Sequence, residues 1–82
     1  MIRVLFFASL RERLGCDALE LACSPGMCVS DAIVELESRG PQWREVFAET
    51  QCLAAANQTM VPLSHPLNDG DELALFPPVT GG

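Results

Sequence analysis

The sequence predicts an α+β fold in which a mixed sheet curls around one main helix, the β-grasp arrangement. Three observations carry this. Two short stretches near the start alternate in character at the period of a strand, a middle stretch repeats its apolar residues at the period of a helix, and the last third returns to strand-like alternation broken by strong turn signals.

In the opening "MIRVLFFA", Ile2, Val4 and Phe6 fall on one side and Arg3, Leu5 and Phe7 on the other, as in a half-buried strand. "SLRERLG" reads as a short helix or turn with Gly15 as its stop. "DALELA" alternates again, and its short link to the first strand predicts antiparallel pairing. The main helix lies in "SPGMCVSDAIVELESRGP". Ser30 is the expected N-cap, Asp31 suits the positive end of the helix dipole, and Val29, Ile33 and Leu36 form one stripe at i, i+4, i+7. Gly40-Pro41 stops that helix. "PQWREVFAE" predicts a second, shorter helix with Trp43, Val46 and Phe47 toward the core. "QCLAAANQTMVP" reads as a hairpin that turns at Asn57-Gln58 and ends at Pro62. "NDGD" is a turn, and "ELALF" is the final strand, with Leu73 and Leu75 on one face and Ala74 and Phe76 on the other. The predicted organisation is one domain over residues 1–76 followed by an extended tail over residues 77–82.

Composition excludes several classes of function. Five basic residues stand against eleven acidic ones, a net charge of −6, which argues against nucleic acid and suits docking on a basic partner. No apolar run approaches the roughly 18 residues of a membrane span, and the apolar start ends in charge rather than at a small-residue cleavage site, so a cytoplasmic protein is expected. Four cysteines (Cys16, Cys23, Cys28, Cys52) are then expected as reduced thiols. No C-x-x-C is present and His65 is the only histidine, so a zinc site is not expected. An iron–sulfur loop of the plant ferredoxin type would need a cysteine at position 31, which is Asp31. No metal is therefore expected. His65, beside Pro66, reads as a turn residue rather than a catalytic base, and Asp69, Asp71 and Glu72 as solvated turn carboxylates. There is neither a phosphate-binding glycine loop nor a dinucleotide fingerprint, and "NQT" is a chance glycosylation match in a hairpin turn. All five basic residues are Arg; the chain has no Lys.

The remaining feature is "FPPVTGG". Pro77 and Pro78 favour extended polyproline geometry and block further sheet pairing, and the six residues after Phe76 reach roughly 20 Å at about 3.3 Å each. Val79 and Thr80 continue this probe, and Gly81 and Gly82, without Cβ atoms, pass a narrow channel and approach a ligand closely. A carboxylate at Gly82 becomes an electrophile only when activated, for example as an acyl-adenylate made from ATP by a partner. If sulfur then attacks, Gly82 carries a thiocarboxylate, a portable sulfur. The absence of Lys agrees with this, because a nearby amine would consume the activated acyl group. Leu5, Phe7 and Phe76, joined by Met60, lie on the sheet face away from the main helix, and such an apolar cluster predicts a partner surface unless the short helix around Trp43 covers it.

"IRVLFFAS", "LAAANQTMV" and "HPLNDGDELALFPPVTGG" together resemble the sulfur-carrier (small) subunits of molybdopterin synthase, a ubiquitin-like β-grasp family. The resemblance spans the chain, closest in the last stretch and weakest from Cys16 to Gln51, and the four cysteines have no part in the family's mechanism. It implies that an adenylyltransferase related to ubiquitin-activating enzymes adenylates Gly82, that a sulfur donor converts the adenylate to a thiocarboxylate, and that the tail of residues 77–82 is threaded into the large catalytic subunit. Sulfur then passes to cyclic pyranopterin monophosphate to build the molybdopterin dithiolene. It further implies a heterotetramer with two copies of each subunit, acid–base residues on the large subunit, no cofactor bound by the carrier itself, and ATP consumed by the activating enzyme. Positions Phe7, Met60 and Phe76 resemble the family's contacts with that enzyme, and the same face is expected to serve the large subunit. Two readings stay open beside it: the sulfur carrier of another pathway, such as thiamine synthesis, and a ubiquitin-like modifier conjugated to lysines. A plain interaction domain with an inert tail is the third.

Overall fold

The computed structural model describes residues 1–78. In chain order it forms β1 (Ile2–Phe6), α1 (Ala8–Leu14), β2 (Ala18–Leu21), α2 (Val29–Glu37), α3 (Pro41–Glu49), β3 (Leu53–Ala56), β4 (Thr59–Val61) and β5 (Glu72–Phe76). The strands make one mixed sheet in the order β2-β1-β5-β3-β4. β1 runs parallel to β5; the other pairings are antiparallel. The last strand of the chain thus occupies the centre of the sheet.

Alternation decides which face is buried. Ile2, Val4 and Phe6 of β1, Leu73 and Leu75 of β5 and Ala54 of β3 point into a single core with Leu10 and Leu14 of α1, Val29, Ala32 and Leu36 of α2, and Val46 and Phe47 of α3. The Trp43 ring meets Phe6 edge-on, centroids 5.6 Å apart at 68°, and the Arg39 guanidinium lies 5.0 Å from the Trp43 centroid. α3 therefore packs on the core side of the sheet.

The link between β1 and β2 is a full helix. It opens at Ala8 with φ 54, a left-handed value unusual for a residue with a Cβ, and closes at Gly15 with φ 64, where the Gly15 N–H donates to the Arg11 carbonyl. An Arg13–Glu49 ion pair at 2.6 Å ties α1 to α3 at the surface.

The start of α2 differs from the sequence expectation. Its N-cap is Cys28, not Ser30. Asp31 accepts the Cys28 N–H at 3.0 Å and lies 3.2 Å from the Cys28 thiol, a capping box turned toward a cysteine. The next donors of the first turn go elsewhere: the Val29 N–H to the His65 carbonyl at 3.0 Å and the Ser30 N–H to the Leu63 carbonyl at 2.9 Å. The Ala32 N–H, which a Ser30 cap would serve, is already taken by the Cys28 carbonyl at 3.1 Å. The stripe shifts in step, so that Ala32 is fully buried while Ile33 is only half-buried. Gly40-Pro41 does not so much end α2 as begin α3, with Gly40 as N-cap and Pro41 in the first turn.

The turn carboxylates are also corrected. Asp71 is not merely solvated: it accepts the Asn68 N–H at 2.8 Å and the Asn57 side-chain amide at 3.1 Å. The Asn57 side-chain oxygen Oδ1 in turn accepts the Glu72 N–H at 3.0 Å. This network fastens the β3–β4 turn, where Asn57 and Gln58 both take positive φ (50° and 70°), to the turn that launches β5. Asp69 pairs with the amino group of Met1.

Candidate docking face and tail root

The face of the sheet opposite the helices carries the residues singled out for docking, and register sets their order. Leu5 of β1 stands between Ala18 of β2 and Ala74 of β5; Ala74 faces Ala55 of β3, and Ala55 faces Met60 of β4. This row crosses the whole sheet. One step nearer the end of β5, Phe76 is paired with Leu53 of β3, and Phe7 follows β1 past its last residue, held by its N–H on the Leu75 carbonyl at 3.2 Å. The structure thus brings Leu5, Phe7, Met60 and Phe76 to one face. Three small alanines along the row keep its centre flat.

The side chains are open to solvent where it matters. Phe7 is 44% exposed and Met60 58%, while Leu5 and Phe76 are half-buried between neighbours. Because Trp43 packs against Phe6 on the core side, the short helix does not cover this face. Sequence reasoning missed Leu53, 37% exposed in the same patch. Its signal was present: it alternates with Ala54 in "CLAAA" and so belongs to the face opposite the core. The opposite end of the face is charged, with Arg3 in register between Glu20 and Glu72. The apolar half therefore lies at the end where β5 runs into Pro77 and Pro78, the root of the tail. Pro77 is half-buried and Pro78 exposed; Val79, Thr80, Gly81 and Gly82 lie outside the described residues.

Beside the tail root a groove of about 450 Å³ opens between the start of β3 and the exit of β4, lined by Gln51, Cys52, Leu53, Ala54, Val61, Pro62, Leu63 and Pro78. Cys52 forms part of its lining, and burial pushes its thiol above the ordinary range. The four cysteines are free thiols, Cys52 buried and the others half-buried. Among the described residues no group of three His, Cys, Asp or Glu side chains stands together as a metal site. The main chain of His65 is fully engaged, its N–H donating to the Pro62 carbonyl and its carbonyl accepting from Val29. It serves the entry to α2 rather than any cluster of reactive groups.

Two kinds of comparison bear on this geometry. A model of the ThiS family matches residues 4–82. The molybdopterin synthase sulfur carrier subunit of Escherichia coli is 46% identical over 82 residues, all of both chains. Among solved structures, SAMP1 of Haloferax volcanii, a small archaeal modifier protein, superposes with a TM-score of 0.81 at 27% identity over 99% of this chain and 98% of that one. The complex of subunits 1 and 2 of the molybdopterin-converting factor from Helicobacter pylori gives 0.68 at 26% identity over 99% and 97%.

Proposed function

The chain belongs to the ThiS family and, with the molybdopterin synthase sulfur carrier subunits, to its sulfur carriers, and from that premise we propose that it delivers sulfur on the carboxyl group of Gly82. It is the small, non-catalytic subunit of molybdopterin synthase, and the large catalytic subunit is its partner. An adenylyltransferase related to ubiquitin-activating enzymes joins the Gly82 carboxylate to the α-phosphate of ATP with loss of pyrophosphate. Hydrosulfide-level sulfur from a donor then attacks the acyl carbon, the acyl–phosphate bond breaks with AMP leaving, and loss of the sulfur-bound proton gives the thiocarboxylate. The large subunit takes up the tail, and its own acid–base groups move the sulfur onto cyclic pyranopterin monophosphate. Two such deliveries form the dithiolene, in keeping with a heterotetramer that holds two carriers. ATP is consumed on the activating enzyme, and the carrier binds no cofactor of its own. The setting is the cytoplasm; among the described residues no helix is long and apolar enough to cross a membrane.

The observation that carries this reading is the apolar patch of Leu5, Phe7, Leu53, Met60 and Phe76 laid against the root of a Gly-Gly tail. A partner seated on that patch finds the tail leaving from its edge. Pro77-Pro78 stiffens the exit, and the four residues beyond Pro78 span roughly 13 Å at about 3.3 Å each, enough to reach into a pocket. One face serving both the activating enzyme and the large subunit makes the two compete, so the carrier must leave one to meet the other.

The test is intact mass after incubation with ATP, the activating enzyme and a sulfur source. Exchange of oxygen for sulfur adds about 16 mass units, nearly the same as oxidation of Met or Cys, so a thiol-selective label mapped to the C-terminus must accompany it. Label at Gly82 that requires ATP, and is absent from a chain lacking Gly82, supports the reading. An untouched Gly82 in the presence of a competent activating enzyme overturns it. The likeness to an archaeal modifier protein favours a second reading, conjugation to lysines, which shares every step through adenylation. Covalent adducts of the chain in cell extract select it; an unconjugated chain rejects it.

A further inference from the structure

The groove beside the tail root is not part of the flat face, yet it is continuous with it: Leu53 belongs to both, and Pro78, the second residue of the tail, lines its wall. We propose that this groove is a second docking element, which receives an apolar side chain on an extended segment of the large subunit and thereby holds the tail root in line with the channel that accepts it. The proposal rests on the sulfur-carrier reading above.

The chemistry of the walls selects the occupant. Leu53, Ala54, Val61, Pro62, Leu63 and Pro78 offer carbon, and Cys52 adds a buried, protonated thiol. Gln51 is the single side-chain amide in the lining. An ion has no counter-charge here, whereas an aliphatic or aromatic side chain exchanges water for carbon along most of the wall it touches. β4 is the edge strand, but it spans only Thr59–Val61 before Pro62, which has no N–H to donate. A strand added to this edge would stop after three residues, so the groove recognises side chains rather than lengthening the sheet. Leu63 is 43% exposed on its wall, a large apolar residue that no element of the fold needs for its own packing. Because opposite walls are the β3–β4 hairpin and the tail root, filling the groove fixes the angle between the body and the tail. Docking and tail alignment become one event.

The experiment measures the affinity of the full-length chain for the purified large subunit by calorimetry, together with single-turnover sulfur transfer from the thiocarboxylated chain. The variants are Leu63→Ser, Leu63→Met, and Gln51→Trp, which blocks the groove from an exposed position. Expected is a loss of affinity of about tenfold for Leu63→Ser and Gln51→Trp, near-parental affinity for Leu63→Met, and unchanged thermal midpoints. Parental affinity for both Leu63→Ser and Gln51→Trp overturns the inference. So does parental affinity with slowed transfer, which would make the groove a seat for the chain's own tail. Phe7→Ser separates the two readings: if it abolishes binding while the groove variants do not, only the groove inference falls. If the parental chain itself neither binds the large subunit nor transfers sulfur, the sulfur-carrier reading falls with it.

Discussion

Single residues carry effects that the fold alone would not reveal. Ala8 holds φ 54, a conformation costing an L-residue about 1–2 kcal/mol, whereas glycine bears no such strain but loses about 0.5–1 kcal/mol more chain entropy. Ala8→Gly is therefore expected to raise stability by up to about 1 kcal/mol, seen as a higher midpoint in urea, where glycine within a helix ordinarily lowers it. Asp71 is held below the usual carboxylate range first by the Asn68 N–H and then by the Asn57 amide, and Asp31 by the backbone and thiol of Cys28. A carboxyl depressed on folding stabilises fully above its unfolded value of about 3.9 and loses that contribution as the pH falls through its lower folded value. Asp71→Asn should accordingly be less stable than the parent at pH 7, and the two stability curves should converge in acid once the pH falls through the depressed folded value; parallel curves would reject the role given to Asp71. Cys52, raised mainly by burial, should react last with a thiol reagent at neutral pH, after Cys16, Cys23 and Cys28, as mass spectrometry of timed quenches would read.

Elements were legible wherever the local pattern decides, and illegible where a distant segment decides. β1 and β5 alternate so regularly that the buried Ile2, Val4, Phe6, Leu73 and Leu75 could be named from spacing alone. The Asn57-Gln58 turn followed from residue type, and α3 from Trp43, Val46 and Phe47. The first turn of α2 did not, because the carbonyls of Leu63 and His65 that meet its N–H groups lie more than thirty positions along the chain. The Asp71–Asn57 link failed for the same reason, since "NDGD" signals a turn but not what its carboxylates hold. At the candidate site, the apolar face was legible as a face, Leu53 included through its alternation with Ala54, while the groove depends on how β3 sits between β4 and β5. α3 packs through the buried Val46 and Phe47 and through the partly buried Trp43, whose ring meets Phe6. Trp43→Ala should cost about 2–3 kcal/mol through loss of the Phe6 contact and the space it leaves, yet docking should persist in whatever fraction remains folded.

At the scale of the whole molecule the two faces of one sheet divide the work. The helix-covered face holds the core and the bare face carries the proposed docking patch, so substitutions should sort accordingly. Met60→Asp, at a 58% exposed position, should leave the thermal midpoint within a few degrees of the parent and weaken binding to both the activating enzyme and the large subunit by tenfold or more. Removing Gly82 should do the reverse, preserving docking while eliminating thiocarboxylate formation. The sheet order has a further consequence, for how the protein is made. During synthesis the β1–β2 pair and the β3–β4 hairpin emerge first, and neither hydrogen-bonds to the other in the sheet, because the strand between them is β5. Isolated two-stranded pieces are marginal in water. A chain stalled before Glu72 thus holds two strand pairs not yet joined in one sheet, with Leu5 in one and Met60 in the other. Only the arrival of β5 brings these into one surface, so the proposed docking patch is itself a certificate that translation reached the strand that leads into Pro77 and Pro78.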